Sequence, residues 1–151
     1  MADRSMATQR HLAALMFGIG ALVLWFGLSA RAQGDTFKAR LTPVPVENST
    51  VAAITGSGSV TAVLSGPNLS VNGKFEGIRT PATLAQVHFG PKGVRGPALF
   101  DLTITKATSG TINGTLMLKP AQVDDLKAGR FYLQIHSEKA PDGNLWGWLL
   151  P

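Results

Sequence analysis

Apolar and polar side chains alternate along most of the chain after residue 35, which is the pattern of half-buried β-strands. From Leu69 to Phe75, every second residue is apolar or glycine, and the same period of two runs from Phe131 to Ile135. A final segment, residues 145–150, is apolar on both faces. The segments that predict strands, about eight in all, are residues 36–41, 58–65, 69–76, 85–89, 100–105, 111–118, 131–136 and 145–150.

One segment interrupts the strands. Pro120 suits the first turn of a helix and Gly129 favours its end, so a short helix is predicted at residues 120–128. Glycine and proline separate the other segments, and the Pro-Asp-Gly sequence at residues 141–143 is predicted to be the turn between the last two strands. Short strands joined by such turns predict an all-β fold, a Greek-key β-sandwich with one short helix.

The first 32 residues differ from the rest of the chain. Arg4 and Arg10 precede residues 12–30, which carry no charge, and Ala-Arg-Ala at residues 30–32 matches a signal-peptidase site. One interpretation is a cleaved secretory signal peptide. The other is an uncleaved apolar helix that anchors the protein as a single membrane span, because its 19 uncharged residues approach the ~20 that cross a bilayer.

The two interpretations agree on location. Arg4 and Arg10 would stay in the cytoplasm, so residues 33–151 are predicted to form a periplasmic or extracytoplasmic domain. As an anchor, the segment would attach this domain to the inner membrane. The anchor residues would then include Leu12, Phe17, Leu22, Trp25 and Phe26.

Charge and composition exclude several classes of function. The formal net charge is +5, and +3 of it belongs to residues 33–151, since Arg4, Arg10 and Arg31 less Asp3 contribute +2. The basic residues of the domain are scattered, without the clustered footprint that nucleic-acid binding requires. There is no cysteine, and hence neither a disulfide nor a thiolate metal site. No nucleophile elbow or phosphate-binding loop is present, so no enzyme activity is predicted.

His88 and His136 are the candidate chemical residues. Alternation places His88 on the face opposite Val87, and it places His136 on the face opposite Ile135, so neither is a simple core histidine. If their strands are neighbours, the two imidazoles could converge on copper or zinc, with Glu138, Asp142 or a water completing the site. The interpretation that we favour from sequence is structural: each histidine bonds backbone near a turn and holds no metal tightly.

Two motifs resemble the CHRD domain, a module named after chordin, over residues 36–150. The first is the Ala-Gln-Val-His-Phe-Gly-Pro sequence at residues 85–91, and the second extends from Gly129 through Tyr132, His136, Ser137, Pro141 and Gly143 to Gly147. The resemblance implies an immunoglobulin-like or Cu,Zn superoxide dismutase-like sandwich, without a defined activity. Gln86 stands where the family pattern has a further histidine, which removes a strong metal ligand.

Trp146 and Trp148 also depart from the family pattern, which has polar residues at these positions. Alternation places both on the outward face of the last strand, where a large apolar area needs a cover. A helix or loop of the same chain could supply it. The alternative is a surface that docks onto a partner subunit or the membrane interface.

The sequence thus predicts a non-catalytic binding or scaffolding module without a cofactor. We expect it to be an accessory subunit docked through Trp146 and Trp148 on a membrane protein complex of respiratory or photosynthetic type. The alternative is a copper- or zinc-binding, or redox-related, exported protein that uses His88 and His136.

Overall fold

A computed structural model describes residues 34–151, which form eight β-strands and one helix. The elements are β1 (Asp35–Pro43), β2 (Ser57–Ser65), β3 (Asn68–Glu76), β4 (Ala82–Phe89), β5 (Ala98–Ile104), β6 (Gly110–Met117), α1 (Pro120–Lys127), β7 (Phe131–Ser137) and β8 (Ala140–Trp148). The predicted all-β class and the short helix are confirmed.

The predictions for residues 1–32 lie outside the described residues. They include the signal peptide or apolar anchor helix and its residues Leu12, Phe17, Leu22, Trp25 and Phe26. Among residues 34–151, no helix combines the length and the apolar character that a membrane span needs.

The strands pair antiparallel in the order β1-β2-β3-β6-β5-β4-β7-β8, and β8 pairs in turn with β1. Strand β3 lies beside β6, and β4 lies beside β7, so the chain makes the predicted Greek-key connections. Strands β4 and β7, which carry the two candidate histidines, are therefore direct neighbours.

The sheet closes into a barrel, and the predicted sandwich of two separate sheets is wrong. Closure depends on two short junctions. Strands β5 and β6 align at Thr103–Asn113 and at the adjacent Ile104–Ile112 pair. Strands β1 and β8 align at Thr42–Trp146 and at Pro43–Leu145. A further bridge joins Lys38 to Leu150. Alternation specifies which face of a strand is buried but not whether two edge strands pair, so the sequence could not distinguish these folds.

The turn between the last two strands also differs from the prediction. Ser137 pairs with Ala140, so the turn consists of Glu138 and Lys139. The Pro-Asp-Gly sequence at residues 141–143 lies inside β8 instead. A register shift between Ile135 and Ser137 accommodates this short turn. The carbonyl of Pro141 then lies against His136.

The core fills the interior of the barrel with the apolar side chains that alternation predicts to face inward. The most deeply buried of them include Leu41, Leu69, Val71, Ile112, Leu133, Ile135 and Leu145. Each such side chain contributes about 1.5–3 kcal/mol through burial. Helix α1 adds Leu126 to the same core, and its first turn is capped where the Lys119 N–H donates to Gln122 Oε1 at 2.9 Å.

A second apolar cluster lies on the outer face of the barrel. It consists of Val44, Ile54, Tyr132, Ala140, Trp146 and Trp148, and it is separate from the interior core. Strands β7 and β8 are consequently buried on both faces, with intermediate exposure at His136 and full exposure at Pro141 and Asp142. The outer cluster adjoins both histidines, and it positions the candidate site.

We expect Gly147→Ala to lower the free energy of unfolding by about 2 kcal/mol or more. A Cβ at position 147 would overlap the backbone carbonyl of Arg40, so the junction between β1 and β8 would have to open. Urea unfolding followed by tryptophan fluorescence measures the change. Ser59→Ala, on an exposed position of β2, is the control, with an expected change under ~0.5 kcal/mol. Equal stability of Gly147→Ala and the unmodified chain would contradict the tight closure.

Candidate functional site

His88 lies near the end of β4 and points outward from the barrel, because Val87 beside it points into the core. Its side chain is nevertheless only 8% exposed. Nδ1 lies 3.0 Å from the carbonyl oxygen of Gly96, in the loop that joins β4 to β5. A carbonyl only accepts hydrogen bonds, so Nδ1 carries the proton and Nε2 carries the free lone pair. That Nε2 is buried and has no hydrogen-bond partner among the described residues.

His136 repeats this arrangement on β7. Its Nδ1 lies 2.7 Å from the carbonyl oxygen of Pro141, across the β7–β8 hairpin. The same reasoning places a proton on Nδ1, so that in the neutral imidazole the lone pair lies on Nε2. This second Nε2 is likewise buried without a partner in the described part of the chain. Both histidines thus anchor backbone carbonyls, as the structural interpretation predicts, and each retains one unused nitrogen.

The structure brings the two imidazoles together. Their ring centroids lie 6.2 Å apart, and the ring planes are tilted by 34°. Both line one open cavity of about 720 Å³, which Arg95, Gln134 and Asp142 also line. The two imidazoles therefore lie close together on neighbouring strands, which is the condition that the metal-binding alternative required.

The electrostatics of the site favour a neutral imidazole at His88. Burial is the main cause that lowers its pKa below the ordinary value of 6.5, and the nearby His136 and Arg95 lower it further. The hydrogen bond to Gly96 opposes this shift without reversing it. At neutral pH the Nε2 lone pair is therefore available to a ligand.

In the part of the chain that the structure describes, no third strong ligand joins the two histidines. Within residues 34–151, no group of three or more His, Cys, Asp or Glu side chains converges. Gln86, at the position of the missing family histidine, donates from Nε2 to Asp101 Oδ1 at 2.7 Å. Asp142 contributes its backbone carbonyl, which accepts from Gln134 Nε2 at 2.8 Å and from Arg95. Neither Glu138 nor Asp142 completes the copper or zinc site that was considered from the sequence.

Trp146 and Trp148 point outward as alternation predicts, but each is only 9% exposed. Their rings meet edge to face at 4.7 Å, and Tyr132 packs 4.8 Å from Trp148. The Trp148 indole N–H donates to the carbonyl of Gly90 at 2.9 Å. The exposed apolar area on which the docking prediction relied is therefore covered by the chain's own loops.

The aromatic cluster continues into the histidine pair. Tyr132 stacks on His88 with centroids 4.9 Å apart and an angle of 18°. Its hydroxyl accepts from the Gly96 N–H at 2.9 Å and lies 3.3 Å from the Gly96 carbonyl oxygen. One face of the His88 ring is therefore closed by Tyr132, and the approach to Nε2 is from the cavity.

Three residues that shape the site were not among the predicted site residues. Alternation places Tyr132 and Gln134 on the outward face of β7 with His136, but no role in the site was predicted for them. Arg95 carries no such signal, because it lies in a loop rich in glycine and proline. Its guanidinium carbon lies 5.8 Å from the ring centroid of Trp146, at the edge of the cavity.

Comparison with known proteins gives one match. Residues 37–149 match the family model of the CHRD domain, a range that contains both histidines and both tryptophans of the site. No curated protein and no solved structure matches the chain.

The lowered pKa of His88 predicts a pH-dependent stability. Below pH 6.5 the unfolded chain takes up a proton at His88 that the folded chain resists, so the free energy of unfolding should fall as pH decreases through this value. Urea unfolding at a series of pH values, with His88→Asn as the comparison, measures this. The variant should lose less stability on acidification. Identical pH slopes for the two proteins would contradict the prediction.

The burial of Trp148 predicts a structural role. We expect Trp148→Ala to lower the free energy of unfolding by about 3–5 kcal/mol, the usual cost of removing a buried tryptophan. Met117→Ala, at a side chain that is 73% exposed, is the matched control and should have little effect. Chemical denaturation followed by circular dichroism distinguishes them. A stable, folded Trp148→Ala protein would restore the interpretation of Trp148 as a docking residue.

Proposed function

The chain belongs to the CHRD domain family, and we propose that it is a non-catalytic, exported binding module that holds a transition-metal ion between His88 and His136. The observation that carries this proposal is the pair of buried Nε2 atoms, both without partners among the described residues and both in the lining of one cavity.

An unpaired buried nitrogen is costly. Leaving a buried hydrogen-bonding group unsatisfied costs about 1–3 kcal/mol, and native structures contain few such groups. Here two of them occur on adjacent strands, in rings 6.2 Å apart. A shared ligand that accepts two nitrogen lone pairs would satisfy both at once, and a metal ion is the simplest ligand of this kind.

The hydrogen bonds behind the two rings support the same proposal. Histidines that bind metal donate their other ring N–H to a carbonyl or carboxylate, which fixes the tautomer and the ring orientation. His88 does this with Gly96, and His136 does it with Pro141. The anchoring role favoured from the sequence and the metal-binding role therefore use different nitrogens of the same side chains.

Two imidazoles make a site of modest affinity. Zinc, copper, iron and nickel all accept imidazole, and most tight sites supply three or four protein ligands. Water from the open cavity would occupy the remaining positions of a metal that requires more than two ligands. We therefore expect reversible binding that a strong chelator removes.

The location is part of the proposal. The features of residues 1–32 support export, as a cleaved signal or as a membrane anchor. Accessory docking on a membrane protein complex stays a prediction from the sequence. Trp146 and Trp148, being covered, would not provide its contact surface.

The test is equilibrium dialysis of chelator-treated protein against zinc or copper, with metal content measured per chain. We expect about one bound ion per chain and at least ~10-fold weaker binding in His88→Asn and in His136→Asn. Asparagine retains an N–H donor for the carbonyl but removes Nε2, so both variants should stay folded.

Lys139→Ala is the matched control, because Lys139 lines the same cavity without belonging to the histidine pair. It should bind metal as the unmodified protein does. Unchanged binding in the double histidine variant, or no binding by the unmodified protein, would reject the proposal.

A further inference from the structure

We infer, on the basis of the proposed metal-binding function, that the histidine pair selects monovalent copper over zinc and other divalent ions, and holds it with two nitrogen ligands in a nearly linear arrangement. Three features of the site support this inference: the spacing of the rings, the number of ligands and the neutrality of those ligands.

The spacing of the rings fits a linear site. A metal–nitrogen bond of about 2.0 Å and a ring radius of about 1.1 Å place each centroid ~3.2 Å from the metal. Two imidazoles on opposite sides of an ion would therefore have centroids ~6.4 Å apart, whereas a tetrahedral angle would bring them to ~5.2 Å. The observed separation of 6.2 Å lies close to the linear value.

The number of ligands excludes a complete tetrahedral site built from the described residues. Zinc takes four ligands in nearly all protein sites, and at least three of them come from the protein. Residues 34–151 bring no third His, Cys, Asp or Glu side chain to the pair. Gln86, the nearest candidate by sequence pattern, is held by Asp101. Monovalent copper carries a single charge and is stable with only two nitrogen ligands, so two imidazole nitrogens suffice.

The two ligands are neutral, because both Nδ1 atoms donate to carbonyls and each Nε2 has only its lone pair to offer. The full charge of the ion would therefore remain uncompensated beside the buried ring of His88 and the half-buried ring of His136. The cost of burying a charge grows with its square, so a divalent ion would be penalised about four times as much as a monovalent one.

The inference is tested with the purified full chain, under anaerobic conditions and with ascorbate as reductant. Monovalent copper is supplied as its coloured complex with bicinchoninate, and the loss of colour measures transfer to the protein. Zinc affinity is measured separately with a fluorescent zinc chelator. Silver(I) serves as a monovalent, redox-inert probe with the same filled d shell.

We expect one copper(I) or silver(I) per chain, bound at least ~10-fold more tightly than zinc. X-ray absorption of the copper(I) form should show two nitrogen neighbours. His88→Asn and His136→Asn should each lose the binding, while Lys139→Ala should retain it.

The alternative outcomes separate the two proposals. Zinc binding that is as tight as copper(I) binding, with loss in both histidine variants, would overturn the selectivity but preserve the metal-binding function. Three or four neighbours in the absorption spectrum would overturn the linear arrangement. Binding of none of these ions, or equal binding by the double histidine variant, would overturn both proposals.

Discussion

The hydrogen bond from the Trp148 indole to Gly90 holds the loop between β4 and β5 against the outer face of the barrel. Further along this loop, Gly96 accepts from His88 and exchanges hydrogen bonds with the Tyr132 hydroxyl. The loop therefore fixes the tautomer of His88, and it also covers the aromatic cluster. Without it, the histidine would gain solvent on the side where it is now buried, and Nε2 would lose the orientation that makes it available to a ligand.

The dependence of the candidate site on this loop explains why the site lies outside the barrel. The interior is filled by side chains such as Leu133 and Leu145, which have no exposed area. A filled eight-stranded barrel leaves no space for a ligand. The outer face of β7 and β8 is different, because loops cover it only in part, and the uncovered part is the cavity beside His136. The chain thus has one layer that fills the barrel and a second, incomplete layer that leaves the cavity open.

Sequence reasoning predicted the elements well because alternation and turn residues are local signals. The helix from Pro120 to Lys127 and the outward position of both histidines follow directly from such patterns. Closure of the barrel did not follow, because it depends on the fit of Gly147 against Arg40 on a strand more than a hundred residues earlier. The loop that covers Trp146 and Trp148 could not be identified from the sequence either. Its contact uses a backbone carbonyl, and every residue type has one.

Glutamine stands at position 86, where the family pattern has histidine. This difference affects both the contact between β4 and β5 and the number of ligands in the proposed site. Gln86 lies on β4 opposite Gln134, and its amide reaches across to Asp101 on β5. That contact ties the two strands together just before the irregular step in their pairing between Val87 and His88. A histidine at position 86 would offer a third imidazole on the same face of β4 as His88. The chain therefore has a contact between neighbouring strands at the position where the family pattern has a further histidine. In the proposed metal site, the restriction to two imidazole ligands would follow from this replacement.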